Sequence, residues 1–152
     1  MEVLSYGSPV AEAAGDTQLL DRMADLSIFS GLSRAQIQQV AHTFDEQWFG
    51  AGERILRQGL GGASLHVILE GEATVVIDGR EIATLRPGDF FGEVSVLLEE
   101  PPTADVVSTT ALRCLVLGSR EVEALLLQIP EITLHMLRAE CRRLRSVTGW
   151  RA

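Results

Sequence analysis

Side chains able to do covalent or metal chemistry are few and scattered. His42, His66 and His135 have no ligand spacing and read as structural histidines. Cys114 falls in a strand-like run and Cys141 on a helical seam, where free thiols behave as small apolar groups. There is no CxxC pair and no disulfide framework. All 13 basic residues are Arg, which excludes Schiff-base and lysine-base chemistry. GxSxG, HExxH, Walker A and EF-hand signatures are missing. The expectation is a protein that is not an enzyme and needs no metal or cofactor. Gly59-Leu60-Gly61-Gly62 looks like a phosphate loop, but it leads into the strand-like Ser64–Leu69 where a dinucleotide fingerprint needs a helix. It reads as a hairpin turn.

One stretch has chemical content, Arg86 to Val106. A Pro87-Gly88-Asp89 turn precedes Phe90 and Phe91. Gly92-Glu93 then opens a short apolar helical turn, and a loop with Pro101 and Pro102 returns to a strand. A helix start presents backbone N–H groups to an anion. Glu93 is able to accept a hydrogen bond from a sugar hydroxyl. A plain crossover inside a roll fits the same residues.

The elements that must position this stretch follow from periodicity. Residues 1–16 show no period and read as a loose leader. Leu19, Leu20, Met23 and Leu26 are spaced as a helix. Ser33 is an expected N-cap with Gln36 as its capping-box partner, and Ile37, Val40, Ala41 and Phe44 form the apolar face behind it. After Phe49, short runs alternate with turn signals. Asp78-Gly79 between Ala73–Ile77 and Glu81–Leu85 predicts a two-residue hairpin. Strand-like runs resume at Ala104–Ser108 and Leu112–Leu117. Helical spacing returns at Ser119, an expected N-cap, and Pro130 suits the first turn of a last helix. There, Leu134, Leu137, Cys141, Leu144 and Thr148 step by three and four as a heptad-like seam. Arg138, Arg142, Arg143 and Arg145 lie on the outer face. The fold class is α+β: an eight-stranded antiparallel β-roll (jelly roll) flanked by N-terminal helices and two C-terminal helices. The domain is read as residues 17–148, including the helix 130–148, with 149–152 as a tail.

A chain of 152 residues is one domain at ~100–200 residues each. A net charge of −8 argues against nucleic-acid binding. No apolar run approaches the ~18 residues that span a bilayer. The first charge is Glu2, so no secretory leader is expected and a cytoplasmic location follows. Residues 131–152 carry five Arg against two Glu, a basic face on an otherwise acidic chain.

The stretch resembles the phosphate-binding cassette of the cyclic-nucleotide-binding domain family, to which catabolite activator proteins and cAMP-dependent kinase regulatory subunits belong. Phe91-Gly92-Glu93, Ser95, Val96-Leu97, Pro101, Thr103, Ala104 and Val106 fit the family pattern. So do Phe29-Ser30-Gly31-Leu32-Ser33, Gly50-Ala51-Gly52-Glu53, Leu69-Glu70-Gly71-Glu72, Asp78-Gly79-Arg80 and Pro130-Glu131-Ile132. The likeness covers roughly residues 26–148. It implies ligand contacts from Phe91, Gly92, Glu93, Ser95, Thr103 and Ala104, with cAMP or cGMP as ligand. It also places Val147, with Thr148 next, where some members touch the base.

One departure decides the expected chemistry. Where the family has the Arg that pairs with the cyclic phosphate, this chain has Pro102, with neither charge nor N–H. Losing a charge-assisted bond worth ~1.5–3 kcal/mol weakens binding roughly ten- to hundredfold. Glu99, Glu100 and Asp105 are expected near the phosphate position and worsen it. The resemblance therefore implies a regulatory sensor module that binds cAMP or cGMP weakly at best. The alternative is a ligand-independent interaction or dimerisation module whose pocket is empty, occluded or holds another ligand. The family commonly dimerises through its last helix, which implies a homodimer through the seam beside an unidentified protein partner. The family's transcription factors carry a DNA-binding motif after that helix. This chain stops at Ala152, so direct transcriptional control is not expected.

Overall fold

The structure, a computed structural model, describes residues 7–9 and 17–149. The N-terminal helix α1 (Thr17–Ala24) buries Leu19, Leu20 and Met23. A 3-10 turn (Ser27–Phe29) follows, then α2 (Arg34–Thr43). Ser33 caps α2 as the sequence predicts. Its Oγ accepts from the Gln36 N–H at 3.1 Å, and its own N–H donates to Gln36 Oε1 at 2.9 Å.

Eight antiparallel strands build the roll: β2 (Asp45–Phe49), β3 (Arg54–Leu56), β4 (Leu65–Glu70), β5 (Ala73–Ile77), β6 (Arg80–Leu85), β7 (Phe90–Phe91), β8 (Asp105–Ser108) and β9 (Leu112–Leu117). They form two sheets, of order β2-β9-β4-β7 and β3-β8-β5-β6. Strand β1 (Gly7–Pro9) adds an edge by pairing with Asp45–Gln47. This corrects the reading of 1–16 as uniformly loose at those three residues. The rest of that segment, and Trp150 to Ala152, lie outside the described residues. The Asp78-Gly79 turn closes the β5–β6 hairpin, with both residues at positive φ and Ile77 opposite Arg80, as a two-residue loop requires.

Gly59–Gly62 is not a hairpin turn. It joins β3 to β4, which belong to opposing sheets, so it is the connection that closes the roll. Four residues rich in glycine permit either path, and only the distant partners of β3 and β4 choose between them.

Period-two alternation sorts the strands between two cores. Leu65, Val67 and Leu69 of β4 join Leu115 and Leu117 of β9 against the helices. Ile68 of β4 joins Leu112, Cys114 and Val116 of β9 inside the roll. After β7 come α3 (Glu93–Leu98), then α4 (Ser119–Gln128) and α5 (Pro130–Thr148) beyond the roll. Gly118, not Ser119, stands at the N-cap of α4, and Pro130 occupies the first turn of α5.

Helix α5 docks through Ile132 and Met136, with Ala139 half-buried beside the same core. Burying one such side chain is worth about 1.5–3 kcal/mol. The heptad-like seam does not pack on the roll. Leu134 is 44% exposed, Leu137 58% and Leu144 52%, and Cys141 and Thr148 are exposed as well. Two stripes of period 3.5 run along this helix, and the one at 132, 136, 139 and 143 took the contact.

Candidate functional site

The turn before the site is fixed by its own chemistry. Asp89 Oδ2 accepts from the Arg86 N–H at 2.8 Å, which tightens Pro87-Gly88. Phe90 and Phe91 then enter the two cores, and Phe91 stacks on His66 with ring centroids 4.7 Å apart. Gly92 has φ +89°, and a Cβ there would sit 2.1 Å from the Ser64 carbonyl oxygen. Only glycine fits this approach. It starts α3 directly beneath the sheet and turns Glu93 inward.

The loop that follows α3 is held by backbone. Ser95 Oγ donates to the Glu100 carbonyl, and the Glu100 N–H donates back to the Ser95 carbonyl at 3.2 Å. The Pro102 carbonyl accepts from the Gly59 N–H at 2.8 Å, and the Pro102 side chain is buried.

These residues face a cavity of about 670 Å³ between the cassette, the inner face of β5, β6 and β8, and the C-terminal half of α5. That volume suits a small organic ligand. Its wall is mostly apolar, with Val75, Ile82, Leu85 and Val106 from the roll and Leu144 and Val147 from the helix. All six residues expected as ligand contacts, Phe91, Gly92, Glu93, Ser95, Thr103 and Ala104, lie on it, together with Pro102. Val147 is on the wall too. The Thr148 hydroxyl instead donates to the Leu144 carbonyl at 2.9 Å.

The expected acidic surround is absent from the wall. Glu99 and Glu100 are exposed. Asp105 accepts from the Gln58 N–H at 2.6 Å and pairs with Arg54 at 3.6 Å. The cassette is thus without a cation of its own, but it is not ringed by free carboxylates.

Among the described residues, the cation on the wall is Arg143, which sequence reasoning placed on the outer face. Its guanidinium pairs with Glu93 at 3.1 Å and Glu140 at 3.1 Å, donates to the Phe90 carbonyl, and lies 4.3 Å over the Phe90 ring. The signal was available: Arg143 continues the 132, 136, 139 stripe. Reading only the leucine-rich stripe hid it.

Glu93 is 3% exposed, and its carboxyl is pushed up to about 8. Burial is the largest cause, followed by hydrogen bonding to Glu140 and repulsion from its charge, while Arg143 works in the opposite direction. His66 is buried beneath the same cassette and is driven down to about 4 by desolvation, with its bond to the Ser64 carbonyl opposing. It is neutral at physiological pH. No group of His, Cys, Asp and Glu suited to a metal occurs among the described residues. No helix there is long and apolar enough to cross a membrane.

A sequence model described as "Cyclic nucleotide-binding domain" matches residues 46–128. The cGMP-dependent protein kinase egl-4 of Caenorhabditis elegans is 38% identical over 98 residues, which are 60% of this chain and 13% of that protein. The chain therefore spans a small part of such kinases. The catabolite activator protein of Thermus thermophilus superposes with a TM-score of 0.72 at 27% identity, covering 80% of this chain and 59% of the other. A Trypanosoma cruzi regulatory subunit of a cAMP-independent protein kinase A, bound to guanosine, superposes at 0.71 with 27% identity, covering 92% and 52%.

Proposed function

The chain belongs to the cyclic nucleotide-binding domain family, and on that premise we propose that it is a non-enzymatic regulatory module that binds cAMP or cGMP weakly at best. Pro102 carries this reading. The cavity has the family's frame, but the position expected to hold the phosphate-pairing Arg is a buried proline. Arg143 does not replace it, because the Glu140 carboxylate already pairs with its charge and its N–H groups are committed to Glu93 and the Phe90 carbonyl. An anionic ring entering here gives up water without gaining a free cation, and burying such a charge is costly.

A second reading has one specific observation in its favour. The Trypanosoma cruzi relative holds guanosine, a nucleoside without phosphate. An uncharged nucleoside matches this cavity better than a cyclic nucleotide does: an apolar wall for a base, Glu93 for sugar hydroxyls, and no phosphate to neutralise. A hydroxyl bound to Glu93 competes with Arg143, the residue that ties α5 to the cassette. Release of that tie frees the C-terminal half of α5, and a partner protein reads the shift. The ligand biases the two arrangements only by its difference in affinity for them.

Titration calorimetry of the chain with cAMP, cGMP and guanosine separates the readings. Weak or unmeasurable cyclic-nucleotide heats are expected, with guanosine the tighter ligand. A submicromolar constant for cAMP or cGMP contradicts the role given to Pro102. Silence from all three ligands favours the ligand-independent interaction module.

A further inference from the structure

A second hollow, of about 420 Å³, lies beside α5 away from the apolar wall of the first. The 3-10 turn Ser27–Phe29, Ser30 and the Gly88-Asp89 turn form one side. The other side is a helix face carrying His135, Arg138 and Arg142. Steps of three and four bring these three side chains to one side of the helix.

The electrostatics of this hollow are unlike those of the rest of the molecule. The side chains of Arg138 and Arg142 make no ion pair or hydrogen bond among the described residues, in a chain of net charge −8. Two uncompensated guanidinium groups beside one concavity focus positive potential there. The hydroxyls of Ser27 and Ser30 are also without a hydrogen-bond partner among the described residues. His135 Nε2 donates to the Ser30 carbonyl at 2.7 Å, which anchors the helix to the turn and sets the ring orientation. Asp89 is the carboxylate on this wall, and its Oδ2 is turned into the Arg86–Asp89 loop. Arg143 also lines the hollow, with its charge already paired with Glu140 and its guanidinium bonded to Glu93.

We propose that this hollow is a second ligand site and takes a small phosphate-bearing anion. The guanidinium forks of Arg138 and Arg142 and the hydroxyls of Ser27 and Ser30 supply its donors. The donor set selects phosphate over carboxylate. Two planar forks on the helix side and two hydroxyls on the turn side line the hollow, a donor set that suits a tetrahedral group with three oxygens better than a flat group with two. The assignment is independent of what the roll cavity binds.

Inorganic pyrophosphate is the probe. Calorimetry of the full chain at fixed chloride concentration is expected to give one saturable site. The double variant Arg138→Ala/Arg142→Ala is expected to bind at least tenfold more weakly, while Arg145→Ala, outside the hollow, binds as the wild type does. Amide NMR of the unaltered chain locates the site without any mutation, with shifts expected at Ser27–Ser30 and His135–Arg142. Non-saturating heats, equal losses from Arg145→Ala, succinate binding as tightly as pyrophosphate, or shifts centred on Gly92 and Ala104 would each overturn the assignment.

Discussion

Glu93→Gln isolates the cost of keeping a carboxyl beneath the cassette. The substitution preserves shape and leaves an amide oxygen to accept from Arg143, but removes the titration. In the folded chain Glu93 holds its proton up to about 8, against 4.5 when unfolded. Between those values the native state binds more protons than the unfolded state, so stability falls as pH rises. His66 acts oppositely. Its folded value of about 4 lies below 6.5, so between them the unfolded state binds more protons and stability rises with pH. The two effects offset one another from about 4.5 to 6.5. From 6.5 to 8, of these two groups, Glu93 acts alone. The full slope is about 1.4 kcal/mol per pH unit, tapering near 8, or about 2 kcal/mol across the window. For a domain of this size that is about 4–8 °C in melting temperature. Thermal melts followed by circular dichroism at pH 5, 6.5 and 8 are the assay. The wild type is expected to hold level to 6.5 and then drop. Glu93→Gln is expected to rise to 6.5 and then hold level. A wild-type melting temperature unchanged between 6.5 and 8, or the same drop in the variant, would refute the burial argument for Glu93.

Three further outcomes follow from the same geometry. Arg143→Ala removes the larger of the two effects that favour the charged form of Glu93, the other being a backbone hydrogen bond, so its carboxyl should titrate above about 8, as read by carbon-13 NMR of the Glu side chains. Gly92→Ala drives a Cβ toward the Ser64 carbonyl at positive φ and should destabilise the fold by at least ~1–3 kcal/mol in urea melts. We also infer that the exposed seam of α5 pairs two copies of the chain. Light scattering should then give a dimer for the wild type and a monomer for Leu137→Glu, and equal masses would remove the seam from any interface.

What was legible in the sequence is what a few neighbouring residues decide. The Ser33–Gln36 box, the Asp78-Gly79 hairpin, the strand-like run Leu112–Leu117 and Pro130 at a helix start each carry their cause within four or five residues. The cassette was legible through its resemblance to the family pattern, since its residues alone fit a plain crossover as well; the six residues expected as contacts lie on one wall. What escaped depends on distant partners. The pairing of Gly7–Pro9 with β2 has no local signal. The path after Gly59 depends on which sheet each flanking strand joins. The choice between the two stripes of α5 is made by docking, since Leu134 and Leu137 outrank Ala139 and Arg143 in hydrophobicity yet face outward. Arg143 was missed for that reason, and with it the tie between cassette and helix.

The most direct test of the central claim restores a cation to the cassette. Calorimetry with cAMP should show Pro102→Arg binding at least tenfold more tightly than the wild type, matching the ~1.5–3 kcal/mol of one charge-assisted bond, with guanosine affinity unchanged. Equal cAMP affinity in the two proteins would contradict the claim that the proline is what keeps the phosphate out.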